Sequence, residues 1–413
     1  MSVAPLAKLL PGIPGLPSLE QLLAAGANIG HKVLYGGLAD LRPMPRTLID
    51  DGTLREVYHY RAGAGSHPTG LPVLLVTPLA APALCFDLRR GCSLVEHLVK
   101  LQRPTYLVEY GEVSFADRRL GVEHWIDEVL PAAVRAVSEH AGGQPVHLVG
   151  WSLGGIFATL TAADHGDLPI ASVTALGSPF DVSRVPLIAP FRPLVNLADG
   201  AVLGGIYRVL GGAPKPLVRR AFQLSSIDKL VTKPLAVVRN LDDAEFLAQI
   251  EAVDRFTANM IAYPGRSFGQ LYHRFLRANA LASGGYDLDD RRIELSTLDK
   301  PLLVLAGSGD SIAPIASVQP LVEMVPQASP RFEVVPGGHL GMLTGRAARG
   351  TTWKILDGFM TGIDADHLPA ADAPRPEADQ ATTDSAPATA PIGMNRKRRH
   401  PSAATRSALT PKR

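Results

Sequence analysis

Apolar positions along this chain fall into two patterns. "PVLLV" (72–76), "PTYLVEY" (104–110), "VHLVG" (146–150), "ASVTALGS" (171–178) and "LLVLA" (302–306) are short, nearly continuous apolar runs, as expected of strands buried on both faces. "TLREVYHYR" (53–61) has the β-branched and aromatic content of a further strand. Elsewhere the spacing is helical. Val122, Trp125, Ile126, Val129, Leu130, Val134 and Val137 predict one helix, which Pro131 should kink or reset. "LGGIFATLTAA", directly after "VHLVGWS", predicts another. Buried strands alternating with helices imply the α/β class, a mostly parallel sheet with helices on both faces.

The alternation stops near Asp181. From there to about Leu298 the chain reads as largely helical, with apolar stretches such as "AVLGGIYRVLGG" (201–212) and "FGQLYHRFLRANAL" (268–281). It resumes with "KPLLVLAGSGD" (300–310), a helical "SVQPLVEMV", then "RFEVVPGGH" (331–339) and a last helix around Thr351–Met360. The organisation this predicts is an apolar N-terminal segment (1–50) and a core in two parts (51–181 and 299–362). A helical cap (182–298) is inserted between them, and a tail (363–413) follows. The tail is rich in Ala, Pro, Thr and Asp and should be disordered, because it cannot bury enough apolar surface to offset its ordering entropy.

Composition narrows the class. The chain has 413 residues, 46% of them hydrophobic, enough for a large core. Its 41 Lys and Arg stand against 39 Asp and Glu. Seven of the bases, among them Arg396, Lys397, Arg398 and Arg399, fall in residues 393–413 with no acid, leaving 34 bases against 39 acids in the rest. The body is mildly acidic, which argues against a nucleic-acid-binding core. Cys85 and Cys92 match no metal spacing and read as reduced structural thiols. The start is apolar but broken by Pro11, Pro14 and Pro17, unlike a secretory leader, and no run reaches membrane-spanning length. A cytoplasmic protein is expected. Its apolar start is expected to pack on the protein's own body, with contact to a granule or membrane surface as the alternative.

The candidate chemistry begins at Gly150-Trp151-Ser152-Leu153-Gly154. A Gly-x-Ser-x-Gly between a buried strand and a helix is the pattern of a nucleophile elbow, in which a strained turn lifts the serine hydroxyl above the sheet. A serine nucleophile needs a base, and the base an orienting acid. In this arrangement the partners follow in the order Ser, Asp or Glu, His, on loops after strands. Asp310 stands just past "LLVLA", and His339 just past "FEVV" in a Gly-Gly-His-Leu-Gly loop. Taken singly, Asp310 suits a turn or helix cap and His339 an ordinary loop histidine. Order and placement together select a Ser152–His339–Asp310 triad. Oxyanion donors are then the backbone N–H of Leu153 and that of Leu79, with Ala80 as the neighbouring alternative, in the loop after "PVLLV".

Three stretches carry a resemblance: "PVLLVTPLAAPALCFDLRRGCSLVEHLVK", "YGEVSFADRRLGVEHWIDEVLPAAVRAV" and "GGHLGMLTGRAARGTTWKILDGFM". With the elbow, they resemble the polyhydroxyalkanoate synthases, the class III type in particular, from roughly Leu54 to Met360. The resemblance implies an α/β-hydrolase core with a helical cap and covalent acyl catalysis, with the nucleophile at Ser152, the acid at Asp310 and the histidine at His339. The family's elbow carries cysteine, whereas this chain carries serine. A thiol gives a thioester acyl-enzyme close in energy to acyl-CoA. A serine gives an oxoester and depends more heavily on its base.

Three functions follow as expectations. The first is a serine acyl hydrolase or acyltransferase acting on hydrophobic acyl esters or acyl-CoA thioesters. The second is a polyester synthase using serine, and the third a non-catalytic granule-associated or scaffold subunit. No metal or organic cofactor is implied. Candidate partners are a lipid or polyester granule surface, a partner subunit as in class III synthases, and a second copy of the chain.

Overall fold

The structure is a computed structural model and describes residues 18–61, 68–185, 212–216, 218 and 227–367. Its centre is an eight-stranded sheet made of β1 (Arg46–Gly52), β2 (Arg55–Tyr60), β3 (Val73–Val76), β4 (Thr105–Glu109), β5 (Val146–Trp151), β6 (Ile170–Leu176), β7 (Leu302–Gly307) and β8 (Arg331–Val335). The strand order is β1-β2-β4-β3-β5-β6-β7-β8. β1 and β2 form an antiparallel hairpin added to β4, and every pairing from β4 to β8 is parallel. In the parallel part β3, β5, β6 and β7 are buried throughout and β4 as far as Val108, while β8 at the sheet edge is only partly buried. Alternate residues supply two cores, one on each face. Leu74, Val76 and Leu148 pack into one, and Val73, Leu75, Val149 and Trp151 into the other.

The helical spacing around Trp125 resolves as expected at Pro131. Residues His124–Val129 form a wide π turn, and α2 (Leu130–His140) restarts with Pro131 in its first turn. Proline has no N–H to continue the earlier ladder, so the helix resets there. α3 (Leu153–Asp164) is buried along nearly its whole length, because it packs against the sheet with little polar face. β1 was not expected from the sequence: "RTLIDDG" is half polar and lies at the sheet edge.

Residues 177–301 separate β6 from β7. Those described include helices Ile227–Arg239 and α4 (Ala244–Ala258), then Gly265–Gln270 continuing as a π turn to Arg277. The apolar stretch 201–212 lies outside the described residues apart from Gly212. Before the sheet, α1 (Leu19–Tyr35) is opened by a Ser18–Gln21 capping box. No α1 residue is buried. The helix is held through polar side chains, Asn28 to the Leu241 carbonyl (2.8 Å) and Lys32 to Glu251 (3.0 Å), while Leu22, Leu23, Val33 and Leu34 are exposed. The contacts of α1 with the body are thus polar rather than apolar, and residues 1–17 of the apolar start lie outside the described residues.

The last helix, α5 (Thr352–His367), runs past the expected start of the tail at 363, and the remainder of the tail lies outside the described residues. The boundary moves because Asp364 is anchored in the body. Its carboxylate accepts from Leu71 N–H (3.0 Å), Arg103 Nη2 (2.7 Å) and His147 Nε2 (3.1 Å). Among the described residues no helix is long and apolar enough to cross a membrane.

Candidate active site

The sheet reverses its winding direction between β3 and β5, and a crevice opens beyond the carboxyl ends of strands at such a point. Ser152 follows β5 there, with φ 55° and ψ −123°. This is a conformation that a non-glycine residue holds only when its surroundings enforce it. Its N–H donates to the Leu176 carbonyl (2.8 Å), and its own carbonyl accepts from Gly155 N–H and from Ser178 Oγ (2.8 Å). The flanking glycines are required by close approach. A Cβ on Gly150 would lie 2.5 Å from Gly155 N and Cα, and one on Gly154 would overlap the Val76 carbonyl.

Past β7, Asp310 faces His339 from the loop after β8. His339 Nδ1 donates to Asp310 Oδ2 at 2.7 Å, and Ser152 Oγ lies 2.9 Å from Nε2. The other carboxylate oxygen, Oδ1, accepts from Ile312 N–H and Ala313 N–H, both at 2.9 Å. Asp310 therefore serves both as the turn residue and as the partner of the histidine. Two backbone donors on one oxygen leave the second free to fix the imidazole tautomer, so Nε2 presents its lone pair to the serine. Asp310 and His339 are buried, at 5% and 8% exposure, while Ser152 is half-buried and reachable.

Leu153 opens α3, so its N–H has no acceptor within the helix. Leu79 is buried in the loop after β3. That loop is tied down by Tyr110 Oη on the Thr77 carbonyl (2.8 Å), Thr77 Oγ1 on the Val108 carbonyl (2.9 Å) and Ile261 N–H on the Ala80 carbonyl (2.8 Å). The contact of Gly154 with Val76 and Thr77 brings the start of α3 against this loop. The five residues expected from sequence thus lie at one end of the sheet. Two side chains that sequence reading left out join them. Trp151 donates from Nε1 to the His339 carbonyl (3.0 Å), and Ser178 holds the elbow carbonyl. Trp151 stands inside the elbow pentapeptide but reads there as ordinary core.

Cys85 and Cys92 are free and buried, and burial pushes the Cys85 thiol well up. Among the described residues, Asp127, Asp164 and His165 lie close enough together to hold a cation. The Arg291 guanidinium already pairs with both carboxylates.

The sequence pattern of the alpha/beta hydrolase fold matches residues 72–346, two thirds of the chain, including Leu79, Ser152, Asp310 and His339. The chain belongs to the α/β-hydrolase family. Within that family it is similar to poly(3-hydroxyalkanoate) polymerase subunits PhaC. The subunit from Haloferax mediterranei is 23% identical over 326 residues, covering 77% of this chain and 65% of that protein. The one from Thiocystis violacea is 22% identical over 341 residues, covering 81% and 94%. The one from Synechocystis is 25% identical over 293 residues, covering 68% and 76%. This chain thus spans just under two thirds of the length of the Haloferax relative. A thermophilic esterase from Thermogutta terrifontis has a similar solved structure, at TM-score 0.44 and 17% identity, covering 78% of this chain and 100% of that one.

Proposed function

We propose that this α/β-hydrolase forms a covalent acyl-enzyme on Ser152 and acts on hydrophobic acyl esters or thioesters. His339 takes the serine proton as Oγ attacks the acyl carbonyl, then returns it to the leaving alcohol or thiol. Asp310 keeps the imidazole in the tautomer that accepts and stabilises the imidazolium formed. The N–H groups of Leu153 and Leu79 receive the carbonyl oxygen as it becomes an oxyanion. Water, an alcohol or a hydroxyacyl chain end then takes the acyl group from Ser152 by the reverse sequence. Of the inserted segment, the described residues Phe256 and Ile261 reach this end of the sheet, Phe256 edge-on to Trp151 and Ile261 on the Ala80 carbonyl, as a cap would. What carries the reading is the unbroken relay from Ser152 Oγ to His339 (2.9 Å) and on to Asp310 (2.7 Å) beside a strained elbow.

The relatives favour a second reading on the same site. They are named poly(3-hydroxyalkanoate) polymerase subunits, so hydroxyacyl-CoA as donor, polyester as product and a partner subunit belong to it. The two readings separate in one experiment: esters of graded acyl length and 3-hydroxyacyl-CoA, with free acid, transferred ester and polymer all quantified. Acid or small ester as the main product supports hydrolysis or transfer, and polymer supports the synthase. Turnover undiminished in His339→Ala counts against both.

A further inference from the structure

The loop that carries His339 is rich in glycine, and backbone bonds hold it on either side of the histidine, the Leu340 carbonyl accepting from Thr344 N–H (3.0 Å) on the far side. It runs Gly337-Gly338-His339-Leu340-Gly341, with Gly337 at φ 118°. Bonds from Gly309 N–H to the Gly337 carbonyl (2.9 Å) and from Met342 N–H to the Gly338 carbonyl (2.8 Å) fix it on the side before the histidine. At His339 itself, the carbonyl is held by the Trp151 indole (3.0 Å). The Trp151 ring lies beside the imidazole, with centroids 4.9 Å apart, and meets Phe256 of α4 edge-on at 6.1 Å. Trp151 is 2% exposed and is the last residue of β5, directly before Ser152.

We propose that Trp151 is a positioning residue for His339 and that its ring relays the placement of the α4 helix to the histidine loop. The proposal rests on the reading of His339 as the base. One strand end then sets both partners of the proton transfer, Ser152 through the elbow and His339 through the indole N–H. Phenylalanine at 151 would remove the donor but also leave part of the indole's buried volume empty, so an isosteric ring is needed to isolate the N–H. The inserted segment also touches the other side of the site, because Ile261, just after α4, donates to the Ala80 carbonyl. A shift of α4 is therefore felt on both loops that flank the serine.

The test replaces Trp151 in the full chain with 3-benzothienylalanine, which keeps the ring shape and lacks the N–H, and with 5-fluorotryptophan, which keeps both. Readouts are the labelling rate of Ser152 by a fluorescent alkyl phosphonate, kcat and KM on an acyl ester, and the melting temperature. The benzothienyl variant should label and turn over roughly 5- to 30-fold more slowly, as expected for loss of one orienting hydrogen bond on a base. Its KM and melting temperature should stay close to the parent's, and the fluoro variant should react normally. Phe256→Leu should slow labelling in the same direction, and less than additively with Trp151→Phe. A benzothienyl variant that labels within twofold of the parent overturns the proposal, as does a fall in melting temperature with unchanged labelling of the folded fraction. Labelling that survives Ser152→Ala instead overturns the underlying reading of the site.

Discussion

Replacing Asp364 with asparagine probes the end of the sheet opposite the candidate site. The carboxylate is 6% exposed and ties α5 to Leu71, to Arg103 and to His147 at the start of β5. His147 is fully buried and passes the chain of bonds on to Ser172 Oγ at 2.7 Å. Burial alone would raise the Asp364 pKa, but hydrogen bonds from His147, Arg103 and Leu71 outweigh it and hold the carboxyl far below the usual range. Burial likewise depresses His147, against the opposing pull of Asp364. Asp364→Asn leaves the buried Arg103 guanidinium without its counter-charge, with the Leu71 carbonyl (3.2 Å) as a remaining acceptor, at a cost of about 3–5 kcal/mol. At roughly 2 °C per kcal/mol for a chain of this size, the melting temperature should fall by about 6–10 °C.

Both shifts have the same sign in pH. The unfolded chain binds a proton on His147 below about 6.5 and on Asp364 below about 4, where the folded chain still refuses them. Stability is therefore full at neutral pH, declines as pH falls through the ordinary histidine range, and declines again through the ordinary carboxylate range. Asp364→Asn should lessen the second decline without abolishing it, because Asp181, Asp243, Glu245 and Glu251 are also held below the ordinary carboxylate range. Circular dichroism melts between pH 3 and pH 8 measure both effects. A truncation after Gly362 should reproduce the neutral-pH loss, whereas one after His367 should not. Labelling of Ser152 at 25 °C should be unaffected, since His147 and Ser152 stand five positions apart along and just past β5, roughly 16 Å. A variant melting within about 2 °C of the parent at pH 7 would refute the reasoning and show that Arg103 finds other partners.

Two further substitutions address the site itself. Gly154→Ala forces a Cβ into the Val76 carbonyl; it should abolish labelling of Ser152 and lower the melting temperature by several degrees, whereas Gly358→Ala on α5, with open space around it, should be neutral or slightly stabilising. Ser152→Cys should lose activity on simple oxoesters and retain relatively more on acyl-CoA, measured as the ratio of the two rates, because its acyl-enzyme is itself a thioester; equal loss on both substrates would show that the cap and acceptor site, rather than the nucleophile, set the chemistry.

The parts of this fold that were legible in the sequence are those dictated by burial. Each parallel strand is a continuous apolar run because both its faces are covered, and the elbow glycines are visible because no side chain fits beside β3 or within the turn. Asp310 and His339 were found by order and placement rather than by local signal. In isolation each has an ordinary structural use, and Asp310 indeed performs its ordinary one with Oδ1. β1 was missed because an edge strand buries only part of one face and carries no long apolar run. The reach of α5 beyond 362 was missed because a single buried aspartate looks polar and dispensable until Arg103, His147 and Leu71 are seen to converge on it from three distant parts of the chain. Trp151 was passed over for a similar reason. Its N–H partner is a backbone carbonyl, and no sequence pattern marks a carbonyl as an acceptor.

The central claim is that the acyl group rides on Ser152. The direct measurement is mass spectrometry of the protein quenched during turnover of an acyl ester or acyl-CoA, with the adduct mapped by proteolysis. The account predicts one acyl group on the peptide containing Ser152, absent in Ser152→Ala and formed far more slowly in His339→Ala. An adduct on any other residue, or turnover that persists in Ser152→Ala, would contradict it.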